Sequence, residues 1–413
     1  MNTSILSGIK VLDLSRFIAG PLCCQMLGDM GADVIKIETI EGEAIRHNRP
    51  LERDGRSVYS NIFNRNKRGL SLDPRSETGR EILKDLASRA DLIVENFRPG
   101  VIDKMGLGFE DLQKLNPRAS LISISGFGQS GGNRDRALFD AIAQAETGLM
   151  SLTGNADGAP SVSGSFVVDH IAAYHAVMAA MAALRVRDEH GNGQHVDVAA
   201  FDAMYTSMGI RGVWAAFNDD VPGRNGARDV LSSPTDAYRC SDGYMYIQAG
   251  TNSLFPKFAA VIGAPELAWD VRYRDTADRV NNVEILTTAI EEWTSTRTCA
   301  EVGAELRAAG IPHGTVNTPA QAARSTQVID RELLRTIEHP VSGPLTVYGH
   351  AMRFSSTPLT INLAPPLVGE HTREILTNTL GWSDERISKA LKEKTVSSPP
   401  RQSDQDCAGE VSQ

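Results

Sequence analysis

At 413 residues, 41% of them hydrophobic, the chain is long enough to form two domains with ordinary cores. Its net charge of −9, with no Lys/Arg-rich block longer than a few residues, argues against a nucleic-acid partner. No apolar run is expected to reach the roughly 18 residues of a membrane span, and MNTSILSGIK (1–10) lacks the basic segment and long apolar core of a signal peptide.

The first 130 residues alternate between strand and helix patterns. VLDLS (11–15) is an apolar run leading into a helix-compatible stretch that ends at Met30, and DVIKIE (33–38) reads as the next strand. ETGREILKDLASRA (77–90) has the spacing of an amphipathic helix entered through Ser76, and DLIVENF (91–97) follows as a strand. VIDKMGLGFEDLQKL then leads to the strand SLISISG (120–126). Strands separated by helices predict an α/β fold, a Rossmann-like parallel sheet with helices on both faces. Ligands of such sheets sit beyond the carboxyl ends of the strands, which places Arg16, Asn96 to Arg98 and the Gly126 loop on the working edge.

GFGQSG (126–131) follows a predicted strand and matches the glycine fingerprint of dinucleotide sites. Its context does not fit, because the motif follows the fourth strand or so and Asn133–Arg136 interrupts before the helix. The glycines are better explained by a tight turn near a ligand than by NAD.

Phe166–Val168 reads as a short strand ending at Asp169, where a long Ala-rich helix begins with Ala172, Ala173, Val177, Ala180, Met181 and Leu184 at helical spacing. A carboxylate at that joint would face the free N–H groups and the positive end of the helix, which favour its ionised form. Asp169 is then either an ordinary N-cap or, in a cleft, a nucleophile toward an acyl group. The same free amides could stabilise a tetrahedral oxyanion. His170 and His175 on this helix have no carboxylate pair at metal spacing, so no metal is expected.

Composition shifts after about Met208. Residues 209–224 read as a linker and 225–325 as a smaller α+β domain, with the hairpin YRCSDGYMYIQAG turning at Ser241–Gly243. Residues 393–413 are Pro/Ser/Gln-rich without an apolar stripe and read as a disordered tail. Five cysteines, Cys23, Cys24, Cys240, Cys299 and Cys407, are odd in number and lack CxxC spacing. That pattern points to reduced thiols and a cytoplasmic protein.

Nine segments carry a family resemblance: GIKVLDLSRFIAGP (8–21), GADVIKIE (31–38), NRNKRGLSLD (64–73), ADLIVENFRPG (90–100), ISGFGQSG (124–131), FDAIAQAETGLMSLTG (139–154), the Asp169 segment, GNGQHVDVAAFDA (191–203) and PPLVGEHTREIL (365–376). Together and in this order they resemble the class III coenzyme A transferases, the group of the formyl-CoA, carnitine-CoA and bile-acid CoA transferases. The resemblance runs from about Ile9 to about Ile387. It implies that residues 1–208 are the first part of a large CoA-binding domain, that 330–392 return to it, and that two chains form an interlocked homodimer. It implies acyl-CoA and a small carboxylic acid as substrates, with coenzyme A as substrate and no other cofactor. In that family the aspartate at the position of Asp169 becomes acylated.

Positions matching the family's CoA contacts are Phe17, Ile18, Ala19, Leu72, Asp73, Arg75, Asn96, Phe97, Arg98 and Lys104. Arg75, Arg98 and Lys104 would meet phosphates, while Asn96 and Phe97 would hold the pantetheine and the base. Asp140 matches an acid close to the nucleophile, able to orient ligand or protein groups; as a bare sequence feature it is equally a helix cap or a surface acid. The family's basic residue after IKIE is replaced by Thr39 and Ile40, which makes Arg46 a candidate substitute. Gly250 in QAGTNS aligns with a glycine-rich loop that covers the site in formyl-CoA transferase, although the run of consecutive glycines is absent here.

The reaction implied is transfer of CoA from an acyl-CoA to a free acid through an aspartyl anhydride and an aspartyl-CoA thioester. The same fold serves α-methylacyl-CoA racemases, which use a second base, a histidine, in G-H-D-x-N-Y. This chain has Phe139 at that position, and phenylalanine cannot move a proton. Intramolecular CoA transfer and a non-catalytic CoA-binding scaffold are the remaining alternatives, and the intact Asp169 counts against the scaffold.

Overall fold

The computed structural model describes residues 4–52, 55–219 and 221–399; Cys407 and residues 400–413 of the expected tail lie outside them. Six strands, β1 (Lys10–Asp13), β2 (Asp33–Glu38), β3 (Lys67–Leu72), β4 (Leu92–Glu95), β5 (Ser120–Ser125) and β6 (His195–Ala199), form a parallel sheet in the order β3-β2-β1-β4-β5-β6. Helices cover both faces, so β4 and β5 are buried along their whole length, polar residues included. The expected helix at residues 77–90 spans Glu77–Ala87, with the Ser76 hydroxyl accepting the Gly79 N–H as its cap.

Two strands escape a periodicity reading. β3 contains Lys67, Arg68 and Gly69, and β6 begins on an exposed histidine at the sheet edge. The tail also differs from expectation: Val396 pairs antiparallel with Leu72 and Ser397 with Ser71, adding a two-residue strand beside β3. A buried Val396 side chain drives this pairing.

The chain divides into two compact units, one of Met1–Thr147, Gly164–Gly209 and Arg331–Gln413, the other of Gly148–Ser163 and Ile210–Asp330. The stretch read as a linker, 209–224, thus lies almost wholly in the second unit, together with Gly148–Ser163. The reason is local bonding: the Arg224 guanidinium donates to the carbonyls of Asn155 and Gly158, and Ile210–Ala215 is helical.

The second unit carries an antiparallel sheet, β7 (Thr235–Arg239), β8 (Tyr244–Gln248) and β9 (His313–Thr315), over a core that includes Tyr238, Phe255, Phe258 and Trp293. The buried Arg279 guanidinium donates to the carbonyls of Ser233, Tyr273 and Gly250. The Gly250 carbonyl also accepts from Thr276, and a Cβ at Gly250 would stand 2.1 Å from Ser232 Oγ. Gly250 is therefore required for close packing and is tied into its own unit.

The returning segment of the larger unit opens with a ribbon of β10 (Leu334–His339) and β11 (Gly343–Tyr348). It is stitched to the β3 entry by Asn66, whose side chain bonds the backbone of Thr360, Asn362 and Leu363.

The helix Val167–His190 is the longest element, with Ala172, Ala173, Ala176, Ala180 and Ala183 buried. Contrary to the sequence reading, it is long and apolar enough to cross a bilayer, but its alanine stripe packs in the core, against β5 and the helix Ala19–Asp29. Small side chains allow that close approach.

Candidate active site

The strand order reverses between β1 and β4, and the crevice of such a sheet opens past their carboxyl ends. Two loops meet there. The Arg16 N–H donates to Asn96 Oδ1 at 2.7 Å, and Asn96 Nδ2 returns a bond to the Arg16 carbonyl at 2.7 Å. The Arg16 guanidinium lies 5.4 Å from the Phe97 ring centre. Phe17 takes a left-handed backbone, φ 65°, that non-glycine residues rarely adopt, and its N–H donates to Glu43 at 3.2 Å.

Beneath this junction lies a buried charge network. Lys67 reaches Asp13 at 2.8 Å, the Pro21 carbonyl at 2.9 Å and Asn64 at 3.0 Å. Lys36 donates to the Ser15 carbonyl at 2.6 Å and pairs with Glu43 at 3.3 Å. Burial would push the Asp13 carboxyl up, but Lys36, Lys67 and the bonds from Lys67 and Ser15 bring it down to about 2. The network fixes the backbone from Ser15 to Pro21. It could have been suspected from charged residues inside otherwise apolar strands, which must be paired when buried. Burial, reinforced by Asp13, pushes the Cys23 thiol up to about 12, so it is no nucleophile.

Asp169 is the third residue of its helix, which starts at Val167 without a preceding strand. The capping role expected of Asp169 belongs to Asp140, at the start of the helix Asp140–Glu146. Asp140 Oδ2 accepts the N–H groups of Val168 at 2.8 Å and Asp169 at 3.2 Å, while Oδ1 accepts from the buried Gln144 at 2.5 Å. The neighbouring amides, of Val167 and His170, donate to the carbonyls of Ser165 and Phe166. The first-turn amides are thus already engaged, which removes them as the expected oxyanion donors. The carboxyl of Asp169 makes no hydrogen bond or ion pair among the described residues. Burial pushes it up to about 7, and the Asp140 carboxylate adds to the rise. This reverses the expectation of a favoured ionised form, because the helix-end donors serve Asp140 instead.

Phe139, 64% exposed, meets Phe17 edge-on with ring centres 6.3 Å apart, linking the Asp140–Asp169 junction to the β1 loop. The glycine loop leads into this region: a Cβ at Gly126 would stand 2.5 Å from Leu138 Cβ, and Gly128 has φ 83°. The Nδ1 atoms of His170 and His175 bond carbonyls one turn back, and no group of three or more metal-ligating side chains occurs among the described residues.

The other expected contacts divide by exposure. Arg75, Arg98 and Lys104 are exposed and form no ion pair among the described residues. Asn96 and Phe97 are half-buried at the end of β4. Ile18 and Ala19 are buried, Ile18 against Phe63 and Ala173. Leu72 is fully buried in the core, so its side chain is no ligand contact; Asp73 beside it accepts the Arg75 N–H at 2.9 Å. Arg46 cannot substitute for the missing basic residue, since its guanidinium is spent on Glu38 at 2.6 Å and the Pro366 carbonyl at 3.1 Å. The β3 end with Arg75 and the β4 end with Arg98 are three strand spacings apart, roughly 14 Å.

Comparison with known proteins agrees with this architecture. A CAIB/BAIF family protein from Brucella suis superposes with a TM-score of 0.82 at 34% identity, covering 92% of this chain and 100% of that one. Succinyl-CoA:glutarate CoA-transferase of Mus musculus is 35% identical over 94% of this chain and 89% of its own. Succinyl-CoA–D-citramalate CoA-transferase of Chloroflexus aurantiacus is 31% identical, with 95% and 98% covered. Formyl-CoA:oxalate CoA-transferase of Streptomyces coelicolor is 33% identical, with 96% and 100% covered. The pattern defining CoA-transferase family III matches residues 6–372, and the chain belongs to that family of enzymes.

Proposed function

We propose that the enzyme moves CoA from an acyl-CoA to a free carboxylic acid with Asp169 as covalent nucleophile. The observation that carries this reading is the unengaged carboxyl of Asp169, held in a helix whose first-turn amides are capped by Asp140. In its charged form the carboxylate attacks the donor thioester, giving an acyl–aspartyl anhydride and CoA thiolate. The thiolate attacks the aspartyl carbonyl, forming an aspartyl-CoA thioester and releasing the first acid. The acceptor carboxylate attacks that thioester, freeing the thiolate, which takes the new acyl group and restores Asp169.

CoA would lie along the carboxyl edge, its pantetheine beside Asn96 and Phe97 and its phosphates toward Arg75, Arg98 and Lys104. The enzyme acts here as a cytoplasmic homodimer with CoA as substrate and no metal or redox cofactor. The acceptors in the relatives' names, glutarate, D-citramalate and oxalate, are small acids and begin the test panel. Acids are screened against succinyl-CoA and acetyl-CoA by mass spectrometry, with hydroxylamine or borohydride trapping of the Asp169 peptide. Wild-type turnover by a folded Asp169→Ala variant would refute the mechanism, and α-deuterium uptake by a 2-methylacyl-CoA without transfer would replace it with racemisation.

A further inference from the structure

Behind the Asn96–Arg98 loop runs a line of polar side chains that the proposed chemistry does not use. Glu95 on β4 lies beside Ser123 on β5, and Ser123 beside Asp197 on β6, so the three share one face of the sheet. His195, two residues before Asp197, shares it as well. His195 Nε2 stands 2.9 Å from Ser123 Oγ, Ser123 is the register partner of Glu95 on the same face, and Glu95 Oε2 accepts the Phe97 N–H at 2.7 Å. Glu95 and Ser123 are buried, whereas His195 is exposed at the sheet edge, its ring stacked 5.8 Å from that of Phe109. Three side chains, neighbours on one face, therefore run from the exposed sheet edge to the backbone of the loop.

A hydroxyl both donates and accepts, so Ser123, set between His195 and Glu95 on this face, can serve two proton arrangements. With Glu95 charged, Ser123 donates to it and His195 donates to Ser123. With Glu95 protonated, Glu95 donates to Ser123 and Ser123 donates to His195. The bond from the Phe97 N–H is charge-assisted, and stronger, only in the first. Burial pushes the Glu95 carboxyl up to about 7; Ser123 and the Phe97 amide oppose this, and Asp103 and Asp197 add to it. Burial draws His195 down against the pull of Asp197 and Asp103. Asp103, Asp197 and His195 are the titratable groups facing Glu95.

We propose that Glu95 is a positioning residue for the Asn96–Arg98 loop, connected to solvent protons through Ser123 and His195. The inference rests on the reading that this loop holds CoA; Glu95 itself touches no reacting atom. Charged Glu95 fixes Phe97 and, through Asn96, the clamp on Arg16. Protonation loosens that hold, so CoA affinity falls as Glu95 takes up its proton, and the chemical step does not follow the same titration.

Calorimetric binding of free CoA to the full chain, from about pH 5.5 to about pH 8.5, compares the parent with Glu95→Gln, which still accepts from Phe97 but cannot ionise. CoA phosphates titrate in the same range, so the reading is the ratio of the two dissociation constants at each pH. The variant should bind about three- to tenfold more weakly at the alkaline end and equally at the acid end. Its kcat at saturating acyl-CoA should change little. Ser123→Ala, which interrupts the line, should displace the midpoint of the parent's binding curve. A variant-to-parent ratio constant across pH, or an unmoved midpoint in Ser123→Ala, overturns the positioning role. A parent that binds no CoA at any pH overturns the reading of the site on which it rests.

Discussion

Asp13, at the end of β1, and Asp169, in the first turn of the long helix, are both drawn away from water, yet Asp13 is held at about 2 and Asp169 is pushed up to about 7. Burial acts on both in the same direction, so the partners decide the outcome. Asp13 faces Lys36 and Lys67 and accepts bonds from Lys67 and Ser15. Among the described residues Asp169 faces the like charge of Asp140, which has taken the amides of Val168 and Asp169 for itself. The first carboxylate is consumed in holding a loop. The second has no partner among the described residues, at a cost to stability, which is the condition the proposed nucleophile would need.

The sharpest way to break this contrast is Asp169→Asn. Transfer activity should fall by about a thousandfold or more, equivalent to about 4 kcal/mol or more of barrier. Asp169 titrates higher folded than its ordinary 3.8, so its contribution to stability is fully present below that value and is lost as pH rises through about 7. The asparagine variant should therefore melt higher than the parent at alkaline pH and differ little near the acid end, read by calorimetry at several pH values. A variant destabilised at alkaline pH would show that Asp169 is structural after all.

Lys67→Met attacks the other half of the comparison. It leaves Asp13 buried with one lysine fewer and strips donors from Pro21 and Asn64, which should cost about 3–5 kcal/mol in denaturant unfolding. Adding Asp13→Asn should recover part of the loss. The pH sign is opposite to that of Asp169: the depressed Asp13 stabilises above its ordinary 3.8, and this is lost as pH falls through about 2.

A smaller change sharpens the Asp169 side. Asp140→Asn removes the repelling charge while its carbonyl oxygen can still cap Val168 and Asp169. The acid limb of kcat/KM should move to lower pH, raising activity about threefold relative to the parent on that limb. An unmoved limb would mean that burial alone sets the Asp169 titration.

How much of this was legible in the sequence depends on which force fixed each part. The β1, β2, β4 and β5 strands and the helix entered at Ser76 follow from apolar periodicity and capping, which act within a few residues. β3 and the Val396–Ser397 strand did not, since Lys67 and Gly69 hide one and a polar tail hides the other, and long-range pairing decides both. Asp169 stands out by its place at a helix start, yet the local pattern implies a favoured ionised form where the fold raises its carboxyl to about 7. Nothing local announces that Asp140, 29 residues earlier, takes the amides. Arg46 was likewise plausible as a free cation until folding set it against Glu38 and Pro366.

The smallest expected effects lie at the exposed cations. Arg98 and Lys104 differ from Lys36 and Lys67 in having no protein partner among the described residues, so truncation breaks no internal pair and should leave the melting temperature nearly unchanged. If they meet CoA phosphates, Arg98→Ala and Lys104→Ala should each weaken acyl-CoA binding by about five- to tenfold, about 1–1.4 kcal/mol, and weaken it less as salt rises. KM for the acceptor acid should hold steady, because the lost contacts belong to CoA. The separation between nucleotide and acyl ends is testable with a pantetheine thioester, which lacks the phosphates: both variants should use it as well as the parent does. Unchanged CoA affinity in both would return Arg98 and Lys104 to the ordinary solvated surface. An equal loss on the truncated substrate would instead place them against the pantetheine arm.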